Sequence, residues 1–355
     1  MRSFEHQAGA ERIVFGVGTM AGVGAELERL GGRRALVLST PEQQDLAARV
    51  VGHLSNRAAG VFSEAAMHTP VAVTEAALAR VKDLEADSVV AVGGGSTTGL
   101  GKAIASRTGL PHLVLPTTYA GSEVTPVLGE TDQGEKLTRS APEILPDTVI
   151  YDVELTLTLP WGMTVTSAVN AIAHSAEALY SDDRSDESDR MAFDSIAALA
   201  QGLRQLQDDH ENVDARADLL YGAWLAGTCL GTVGMGLHHK LCHTLGGSFG
   251  LPHARTHTVV LPYALEYNQP AAEDAVRAVA TALDVPDAPA GLQGLVDSWG
   301  GPTSLAELGF SREDVDKAAA LATARPYPNP REVTPRGVTD LLTRATDGTQ
   351  IGENR

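Results

Sequence analysis

Cysteine, long apolar runs and basic residues are scarce in this chain, and each shortage excludes a class of protein. Its 355 residues include two cysteines, Cys229 and Cys242, without a CxxC pair, so neither a disulfide framework nor a thiolate zinc site can be built. No stretch of about 18 apolar residues is present, and the N-terminal segment lacks the apolar core of an export signal. The sequence therefore predicts a cytoplasmic protein that is neither exported nor embedded in a membrane.

The shortage of basic residues limits the partners that the protein can bind. Lysine and arginine together number 27, against 45 aspartates and glutamates, which gives a formal net charge of -18. Such a charge repels nucleic acid backbones and anionic membrane surfaces. We therefore expect no nucleic acid and no membrane partner.

Apolar residues make up 43% of the sequence and form two different patterns along it. In the first half, short apolar runs alternate with segments of helical length; the runs lie near residues 12–15, 35–38, 59–63, 88–92, 111–115 and 149–152. Continuous runs separated by helices are typical of a parallel sheet buried on both faces. Beyond residue 152, long Ala- and Leu-rich segments have helical spacing. We predict an α/β dinucleotide-binding domain with a mostly parallel sheet over residues 1–157, and an all-helical catalytic domain over residues 158–355.

A glycine-rich segment follows one of these runs. Gly93-Gly94-Gly95-Ser96 leads from an apolar run directly into a segment of helical length. Glycines let backbone N–H groups approach a pyrophosphate, and the N-terminus of the following helix attracts its negative charge. A second polar segment, Pro116 to Glu123, follows the next run at the same edge of the predicted sheet, where ligands of α/β sheets bind. The two segments together favour a dinucleotide site over a plain tight turn, which is the alternative for the glycine segment alone.

Histidines are concentrated in the second half of the chain. Four of them lie close together in the sequence, at His238, His239, His243 and His253. Another, His174, follows Asn170 by four residues. Because positions i and i+4 of a helix share a face, Asn170 with His174, and His239 with His243, form two facing pairs. Packing alone would favour Leu or Met at such positions, so the pattern predicts a polar pocket between helices.

Five segments spread over nearly the whole chain carry a family resemblance. They are Phe15-Gly16-Val17-Gly18, GGGSTTGLGKAIA from Gly93, PTTYAGSE from Pro116, Asp152-Val153-Glu154-Leu155-Thr156, and HxxxHxxGxxxGxPH from His239. In residue type and spacing they resemble the iron-containing (group III) alcohol dehydrogenases. That resemblance implies an α/β domain that binds NAD(P)H, a helical domain, an active site in the cleft between them, and a homodimer.

The resemblance also identifies four positions at which metal-dependent members of the family hold a divalent ion with one Asp and three His. In this chain those positions are Asn170, His174, His239 and His253. Since Asn replaces the Asp, an anionic oxygen is missing and a hard or borderline divalent cation should be held much less tightly. We therefore predict no tightly bound metal, and we interpret the four positions as vestigial.

Within the family, the chain resembles the maleylacetate reductase branch. The residues that carry this narrower resemblance are Asn170, Met67-His68-Thr69-Pro70-Val71, Tyr119-Ala120-Gly121-Ser122-Glu123 and Tyr327-Pro328-Asn329-Pro330-Arg331. The resemblance implies NAD(P)H-dependent reduction of the carbon-carbon double bond of maleylacetate to 3-oxoadipate, in the breakdown of aromatic compounds. Hydride addition to a double bond conjugated with a ketone spreads charge over an enolate, which hydrogen-bond donors stabilise. We therefore predict a metal-independent reaction.

The substrate implied by this resemblance is a small dicarboxylate, and in a protein of net charge -18 it requires a local positive patch. The run from His238 to His243 supplies one. We assign His243 as the donor beside the nicotinamide. Candidates for holding the carboxylates or the enolate are Lys240, His239, His253 and Arg331. Tyr327 is a candidate proton donor or orienting hydroxyl, with a packing role as the alternative.

The resemblance further assigns eight residues to the cofactor. Gly94, Gly95 and Ser96 are assigned to the pyrophosphate, and Thr117, Thr118 and Leu128 to the lining of the cleft. Ser39 and Thr40 are assigned to the adenosine side. No carboxylate immediately follows the second run, where the sequence reads Ser39-Thr40-Pro41-Glu42, so an acidic residue that selects NADH over NADPH is missing. We predict that the enzyme uses NADH or NADPH.

Three other functions remain open at this point. The first is a metal-dependent (Fe or Zn) alcohol or polyol dehydrogenase of the same family, in which the amide oxygen of Asn170 ligates the metal. The second is a lyase similar to dehydroquinate synthase, which recycles NAD and consumes no net NADH. The third is a non-catalytic cofactor-binding protein, which would not need a polar helical pocket beside a phosphate loop.

Overall fold

The computed structural model describes residues 2–8, 11–132 and 135–352, in two compact units. The first unit spans Met1–Leu159 and the second spans Pro160–Arg355. The sequence predicts the division after residue 157, in the same short connection. The first unit is α/β and the second is helical, which confirms the predicted fold class.

Strands and helices alternate through the first unit. Its elements are β1 (Phe4–Ala8), β2 (Glu11–Gly16), α1 (Val23–Arg29), β3 (Ala35–Leu38), α2 (Gln44–Leu54), β4 (Ala58–Phe62), α3 (Val71–Asp83), β5 (Ser88–Gly93), α4 (Gly95–Thr108), β6 (His112–Pro116), β7 (Val127–Asp132), β8 (Glu135–Ser140) and β9 (Thr148–Asp152). The described residues form a seven-stranded sheet of order β1-β2-β9-β6-β5-β3-β4. In it β1 is antiparallel to β2, and the other neighbours are parallel. Each predicted apolar run is one of the parallel strands.

The central strands are apolar along their whole length because helices cover both faces of the sheet. All of β5 is buried. Side chains of α1 and α2 pack on one face, and those of α3 and α4 pack on the other. Since α2 follows β3 and α4 follows β5, the chain leaves these two neighbouring strands towards opposite faces. The carboxyl ends of β3 and β5 therefore form the switch point at which open α/β sheets bind their ligands.

Three strands lie outside the predicted pattern. Strand β1 reads FEHQA and β8 reads EKLTRS, so neither has a continuous apolar run. The physical reason is their position: β1 is an edge strand, and β7 and β8 pair as an antiparallel hairpin apart from the main sheet. Phe4 stacks on Phe15 of β2 with ring centroids 5.0 Å apart, which anchors the edge strand.

Two of the segments that carry the family resemblance meet at the end of β9. The buried Asp152 carboxylate accepts hydrogen bonds from the backbone N–H groups of Gly18 (2.9 Å), Met20 (2.8 Å) and Glu154 (3.0 Å). Gly18 has a φ of 72°, in the left-handed region that favours glycine. These two motifs therefore hold a turn against the sheet.

The second unit is built around one buried helix. Its helices are α5 (Trp161–Ala178), α6 (Asp186–Asp208), α7 (Val213–Thr232), α8 (Leu237–Phe249), α9 (His253–Asn268), α10 (Glu273–Leu283), α11 (Ala288–Ser298), α12 (Val315–Ala322) and α13 (Pro335–Asp347). Every residue of α5 from 164 to 178 is buried. Among the described residues no single helix is long and apolar enough to cross a membrane, although α7 and α8, with a 95° bend between them, together reach that length and composition.

Helices α6 and α7 pack closely because Gly222, on α7, has no side chain. The hydroxyl of Ser195 donates to the carbonyl of Gly222 at 2.8 Å. A Cβ atom at position 222 would lie 2.6 Å from Leu199 Cγ and 3.0 Å from the carbonyl oxygen of Ser195. The contact between these two helices therefore requires glycine at this position.

We expect Gly222→Ala to lower the free energy of unfolding by about 1–3 kcal/mol, because the added methyl group overpacks this contact. Gly294→Ala on α11 is the matched control, since no described atom lies within 4 Å of a Cβ atom built there. The control should gain up to about 1 kcal/mol from helix propensity. Thermal and urea denaturation measure both variants, and equal effects would contradict the packing argument.

Candidate active site

The glycine segment of the first unit joins β5 to α4 at the switch point. Gly94 precedes the first turn of α4. A Cβ atom at Gly93, whose φ is 149°, would overlap Thr97 Oγ1, and one at Gly94 would lie 3.1 Å from Thr118 Cγ2. At Gly95 no described side chain approaches within 4 Å of a Cβ position. This open start of a helix, with its unpaired backbone N–H groups, fits a pyrophosphate.

Polar side chains connect the segments that follow β3, β4 and β6 at this edge. Ser39, directly after β3, is buried and donates from its hydroxyl to Ser63 Oγ at 2.9 Å. Thr40 is the next residue and is partly exposed. Gln43 Nε2 donates to Thr117 Oγ1 at 3.0 Å, and so links the segment after β3 to the segment after β6. The predicted adenosine-side residues and Thr117 therefore belong to one connected edge.

A buried lysine fixes the second loop, Pro116 to Glu123, and the residues that follow it. The ammonium group of Lys102, on α4, donates to the carbonyl oxygens of Ser122, Thr125 (2.8 Å) and Val127 (2.9 Å), and to Thr125 Oγ1 (3.0 Å). Its side chain is fully buried. An ammonium group has three N–H donors, so a single side chain ties this stretch to the helix that follows the glycine segment.

Two carboxyl groups lie near Lys102 in the same buried region. Glu123 accepts a hydrogen bond from the Tyr151 hydroxyl at 2.8 Å, and burial raises the pKa of both the Glu123 carboxyl and the Tyr151 hydroxyl. Burial, followed by repulsion from Glu123, raises the pKa of Glu11 to about 7. Within the described part of the chain, Glu11 Oε1 is buried without a hydrogen-bond partner.

Six histidines of the second unit form one group, which we call the histidine group: His174 on α5; His238, His239 and His243 on α8; and His253 and His257 on α9. The ring of His257 lies at its centre, with its centroid 4.3 Å from that of His253, 5.1 Å from His239 and 6.0 Å from His174. His243 is exposed, and its centroid lies 6.2 Å from His239 and 6.3 Å from His253. The group therefore has a buried side and an exposed side.

Four buried side chains form a continuous hydrogen-bonded chain along this group. Asn170 Nδ2 lies 3.2 Å from His174 Nε2, and His174 Nδ1 lies 2.7 Å from His239 Nε2. His239 Nδ1 in turn lies 2.7 Å from Glu177 Oε2. Burial opposes ionisation of Glu177, but hydrogen bonds from His239 and from backbone N–H groups outweigh it and lower the pKa of this carboxyl group. The chain therefore ends on a carboxylate that only accepts.

With both imidazoles neutral, one arrangement of protons satisfies this hydrogen-bonded chain. Because Glu177 accepts, His239 Nδ1 donates and its Nε2 accepts; His174 Nδ1 must then donate, and its Nε2 accepts. Asn170 must therefore present its amide N–H group to His174, which also settles the orientation of the amide.

The same assignment tests whether the residues fit a divalent cation. A cation would need the free lone pairs of His174 Nε2 and His239 Nε2, and both already accept hydrogen bonds. The amide nitrogen of Asn170 faces His174 where a metal-dependent relative is expected to have a carboxylate oxygen. In this arrangement the four positions do not fit a tightly held divalent cation.

The buried side of the histidine group has neutral rings. His238 Nε2 lies 2.9 Å from His257 Nδ1 and 3.7 Å from Cys242 Sγ. Burial, together with the neighbouring histidines, lowers the pKa of both His238 and His257 well below the usual value. His238 therefore contributes no charge to the positive patch predicted from residue 238 to residue 243, and Lys240 is the permanent cation of that segment.

The structure separates the remaining predicted site residues. Lys240 Nζ lies 6.0 Å from the centre of the Tyr327 ring. Burial raises the pKa of Tyr327, whose hydroxyl is buried without a partner among the described residues. Arg331, in contrast, donates to the carbonyl oxygen of Tyr267 at 2.9 Å and lies over its ring, so it is engaged in a structural contact. Leu128 is 1% exposed and belongs to a small apolar core.

Sequence analysis missed one residue of the candidate cofactor site in the first unit, Lys102, and two in or beside the histidine group of the second, Glu177 and His257. Glu177 follows His174 by three residues on α5, so helical spacing from Asn170 and His174 would have indicated it. His257 follows His253 by four residues on α9, and the same spacing applies. For Lys102, a lysine within the apolar face of the helix after a glycine loop is the available signal.

Comparison with known proteins is consistent with this geometry. The profile described as "Iron-containing alcohol dehydrogenase" matches residues 10–153, and the profile described as "Fe-containing alcohol dehydrogenase family, C-terminal" matches residues 164–346. The chain belongs to the iron-containing alcohol dehydrogenase family. One relative is maleylacetate reductase 1 of Rhodococcus opacus, to which this chain is 54% identical over 342 residues that cover 96% of each chain.

Two solved structures of the family have the same fold. The maleylacetate reductase of Agrobacterium tumefaciens is 51% identical, with a TM-score of 0.93 over 99% of this chain and 100% of that one. An iron-containing alcohol dehydrogenase of Corynebacterium glutamicum is 39% identical, with a TM-score of 0.91 over 98% of each chain. The family consists of NAD(P)-dependent oxidoreductases, and membership in it disfavours the lyase and the non-catalytic alternatives.

The half-buried Glu11 carboxyl predicts a pH-dependent stability. Its folded-state pKa of about 7 lies above the ordinary value of 4.5, so its contribution to stability is present below pH 4.5 and is lost as the pH rises to 7. Glu11→Gln should therefore be more stable than the unmodified protein above pH 7, by roughly 1–3 kcal/mol.

This advantage should disappear near pH 4.5, where both proteins carry a neutral side chain at position 11. Denaturation midpoints between pH 4.5 and 8 measure it. The exposed Glu64 provides the matched control, and Glu64→Gln should show a difference that does not change with pH. A pH-independent effect of Glu11→Gln would contradict the assignment.

Proposed function

We propose that this chain reduces the carbon-carbon double bond of maleylacetate to 3-oxoadipate with NADH or NADPH, without a metal. The observation that carries the proposal is the hydrogen-bonded chain from Asn170 to Glu177, which occupies the lone pairs that a metal would need. Extensive identity to proteins named maleylacetate reductase supports the choice of substrate. We further propose a cytoplasmic homodimer that acts in the breakdown of aromatic compounds, as the family resemblance implies.

The first unit fits the cofactor, and the second unit fits the substrate. The bound dihydronicotinamide supplies a hydride. We assign Gly94, Gly95 and Ser96 to the pyrophosphate, because they open α4 at the switch point. Ser39 and Thr40, at the end of β3, take the adenosine side. Dual use of NADH and NADPH follows from the lack of a carboxylate directly after β3.

The exposed side of the histidine group provides donors for a dianionic substrate. Hydride addition to the double bond places negative charge on an enolate, and donors aimed at that charge lower the barrier. His243 is exposed beside His239 and His253, and Lys240 supplies a fixed positive charge on the same helix. We assign His243, His253 and Lys240 to the substrate. Tyr327, whose ring centre lies 6.0 Å from Lys240 Nζ, is the proposed proton donor.

His239 holds a different role in this proposal from the one predicted. Both of its ring nitrogens are engaged, with Glu177 and His174, so it has no N–H group left for a carboxylate. We propose that His239 orients its neighbours, and that the carboxylates bind to Lys240 and His243.

One atom favours a metal-dependent dehydrogenase as the second candidate function. Asn170 Oδ1 is buried and has no hydrogen-bond partner among the described residues, so it is available as a neutral oxygen ligand. A neutral oxygen holds a hard cation less tightly than a carboxylate does, and we therefore rank this function second.

The two candidates differ in their response to chelation. We expect exhaustively chelated protein to consume NADH with freshly prepared maleylacetate at the rate of the untreated protein, because hydrogen-bond donors stabilise the enolate. Simple aldehydes and ketones should be poor substrates. The measurement is the loss of nicotinamide absorbance, with 3-oxoadipate identified as the product.

Readdition of Fe²⁺ and Zn²⁺ to the chelated protein is the control. Activity that is lost on chelation and restored by either ion would favour the metal-dependent dehydrogenase. Activity found with simple carbonyl compounds alone would contradict the assignment of maleylacetate as the substrate.

A further inference from the structure

The carboxylate of Glu177 accepts hydrogen bonds both from the first turn of α8 and from the ring of His239. Its Oε2 atom accepts from the backbone N–H groups of Gly236 (2.9 Å) and His239 (3.3 Å), and its Oε1 atom accepts from that of His238 (2.9 Å). The fourth bond comes from His239 Nδ1 at 2.7 Å. An anion at a helix N-terminus is stabilised by the unpaired N–H groups there. Glu177 therefore fixes both where α8 begins and how the ring of His239 is oriented.

Asn170 lies at the other end of this hydrogen-bonded chain, and its amide makes the number of donors equal to the number of acceptors. With one carboxylate, at position 177, and one amide, at position 170, each hydrogen bond between them has one donor and one acceptor, and both imidazoles are neutral. With carboxylates at both ends, the two imidazoles would need an additional proton or a cation between them. The carboxylate of Glu177 thus sets the direction of the hydrogen-bonded chain, and the amide of Asn170, which can donate or accept, completes it.

We propose that Glu177 and Asn170 are the two ends of one directional hydrogen-bonded chain. This chain holds His174 and His239 in their Nδ1–H tautomers. Through it, Glu177 acts as a positioning residue for the reduction. Glu177 acts through His239 and the first turn of α8, and this turn places Lys240 and His243 for the substrate. This role rests on the proposed function, whereas the tautomers do not depend on any substrate.

The direct test is nitrogen NMR on the full-length protein with ¹⁵N-labelled histidine. His174 and His239 should each show a protonated, pyrrole-type Nδ1 and an unprotonated, pyridine-type Nε2. The resonances are assigned by comparison with His174→Gln and His239→Gln. A proton on Nε2 of His239 in the unmodified protein would overturn the proposal, whatever the protein's activity.

Kinetics with the variant Glu177→Gln test the positioning role. The amide can donate to His239 Nδ1 and so permits the opposite direction of the chain. We expect kcat for maleylacetate to fall about 10- to 100-fold, with the KM for NADH unchanged, because the cofactor residues lie in the other unit. Tyr180→Phe is the matched control: its hydroxyl lies 3.4 Å from Glu177 Oε1 but does not contact the histidines of the chain. The control should keep its kcat.

A double variant separates this role from a general loss of structure. In Asn170→Asp with Glu177→Gln the two ends are exchanged, so the chain can run in the opposite direction with every proton matched. Measured with chelator present, its kcat should exceed that of either single variant, and His239 should now carry its proton on Nε2. The recovery should be partial, because the glutamine amide faces backbone N–H groups of α8.

Each result has a defined meaning. An unchanged kcat for Glu177→Gln, or no recovery in the double variant, would overturn the positioning role. If Glu177→Gln does not fold, the tautomers of the unmodified protein still decide the proposal. A lack of maleylacetate turnover by the unmodified protein would refute the proposed function, while the NMR result would still report on the chain.

Discussion

A single buried carboxylate, that of Glu177, organises the second unit around its polar interior. A carboxylate without solvent is tolerated only where donors surround it, and here three backbone N–H groups, one imidazole and the Tyr180 hydroxyl do so. These bonds also determine how the start of α8 is held. The residue before α8, Gly236, has no side chain to cap the helix. Glu177 accepts from three of the helix's first N–H groups and Asn329 accepts from a fourth, and Glu177 also orients the ring of His239.

The first unit uses a buried lysine in a comparable way. Lys102 satisfies carbonyl oxygens in the loop after β6, as Glu177 satisfies N–H groups at the start of α8. In both cases one buried side chain on a regular helix holds an irregular segment that carries site residues. A loop anchored to a rigid element by several bonds loses little freedom when a ligand binds, which is what precise positioning of reacting groups requires.

The sequence predicts the parts of the fold that depend on apolar periodicity. Strand β5 is one continuous apolar run because it is buried on both faces, and a glycine segment at its end is visible without any structure. Strands β1 and β8 lack such a run because an edge strand and an isolated hairpin bury little surface, so pattern alone does not distinguish them from loops.

The site was predicted in part, for a related reason. The pair Asn170 and His174 is conspicuous because polar residues are unusual in an apolar helix. Glu177 is not conspicuous, since glutamate is a common helix former and normally faces solvent. Its burial is a property of tertiary packing. The direction of the hydrogen-bond chain is even less accessible to sequence reasoning, because it depends on which nitrogen of each ring faces which neighbour.

The neutral character of this site and the chemistry of a conjugated substrate support each other. A metal is most useful where charge develops on one oxygen, as in the reduction of a simple ketone. An enolate spreads that charge, so the stabilisation needed at each atom is smaller and hydrogen-bond donors with one fixed cation can supply it. The substrate also brings two negative charges, and a further carboxylate at position 170 would repel them in a protein that already carries a net charge of -18. An amide at that position avoids this repulsion and still completes the hydrogen-bonded chain to Glu177, so the proposed metal-free reaction is compatible with keeping the histidines around it.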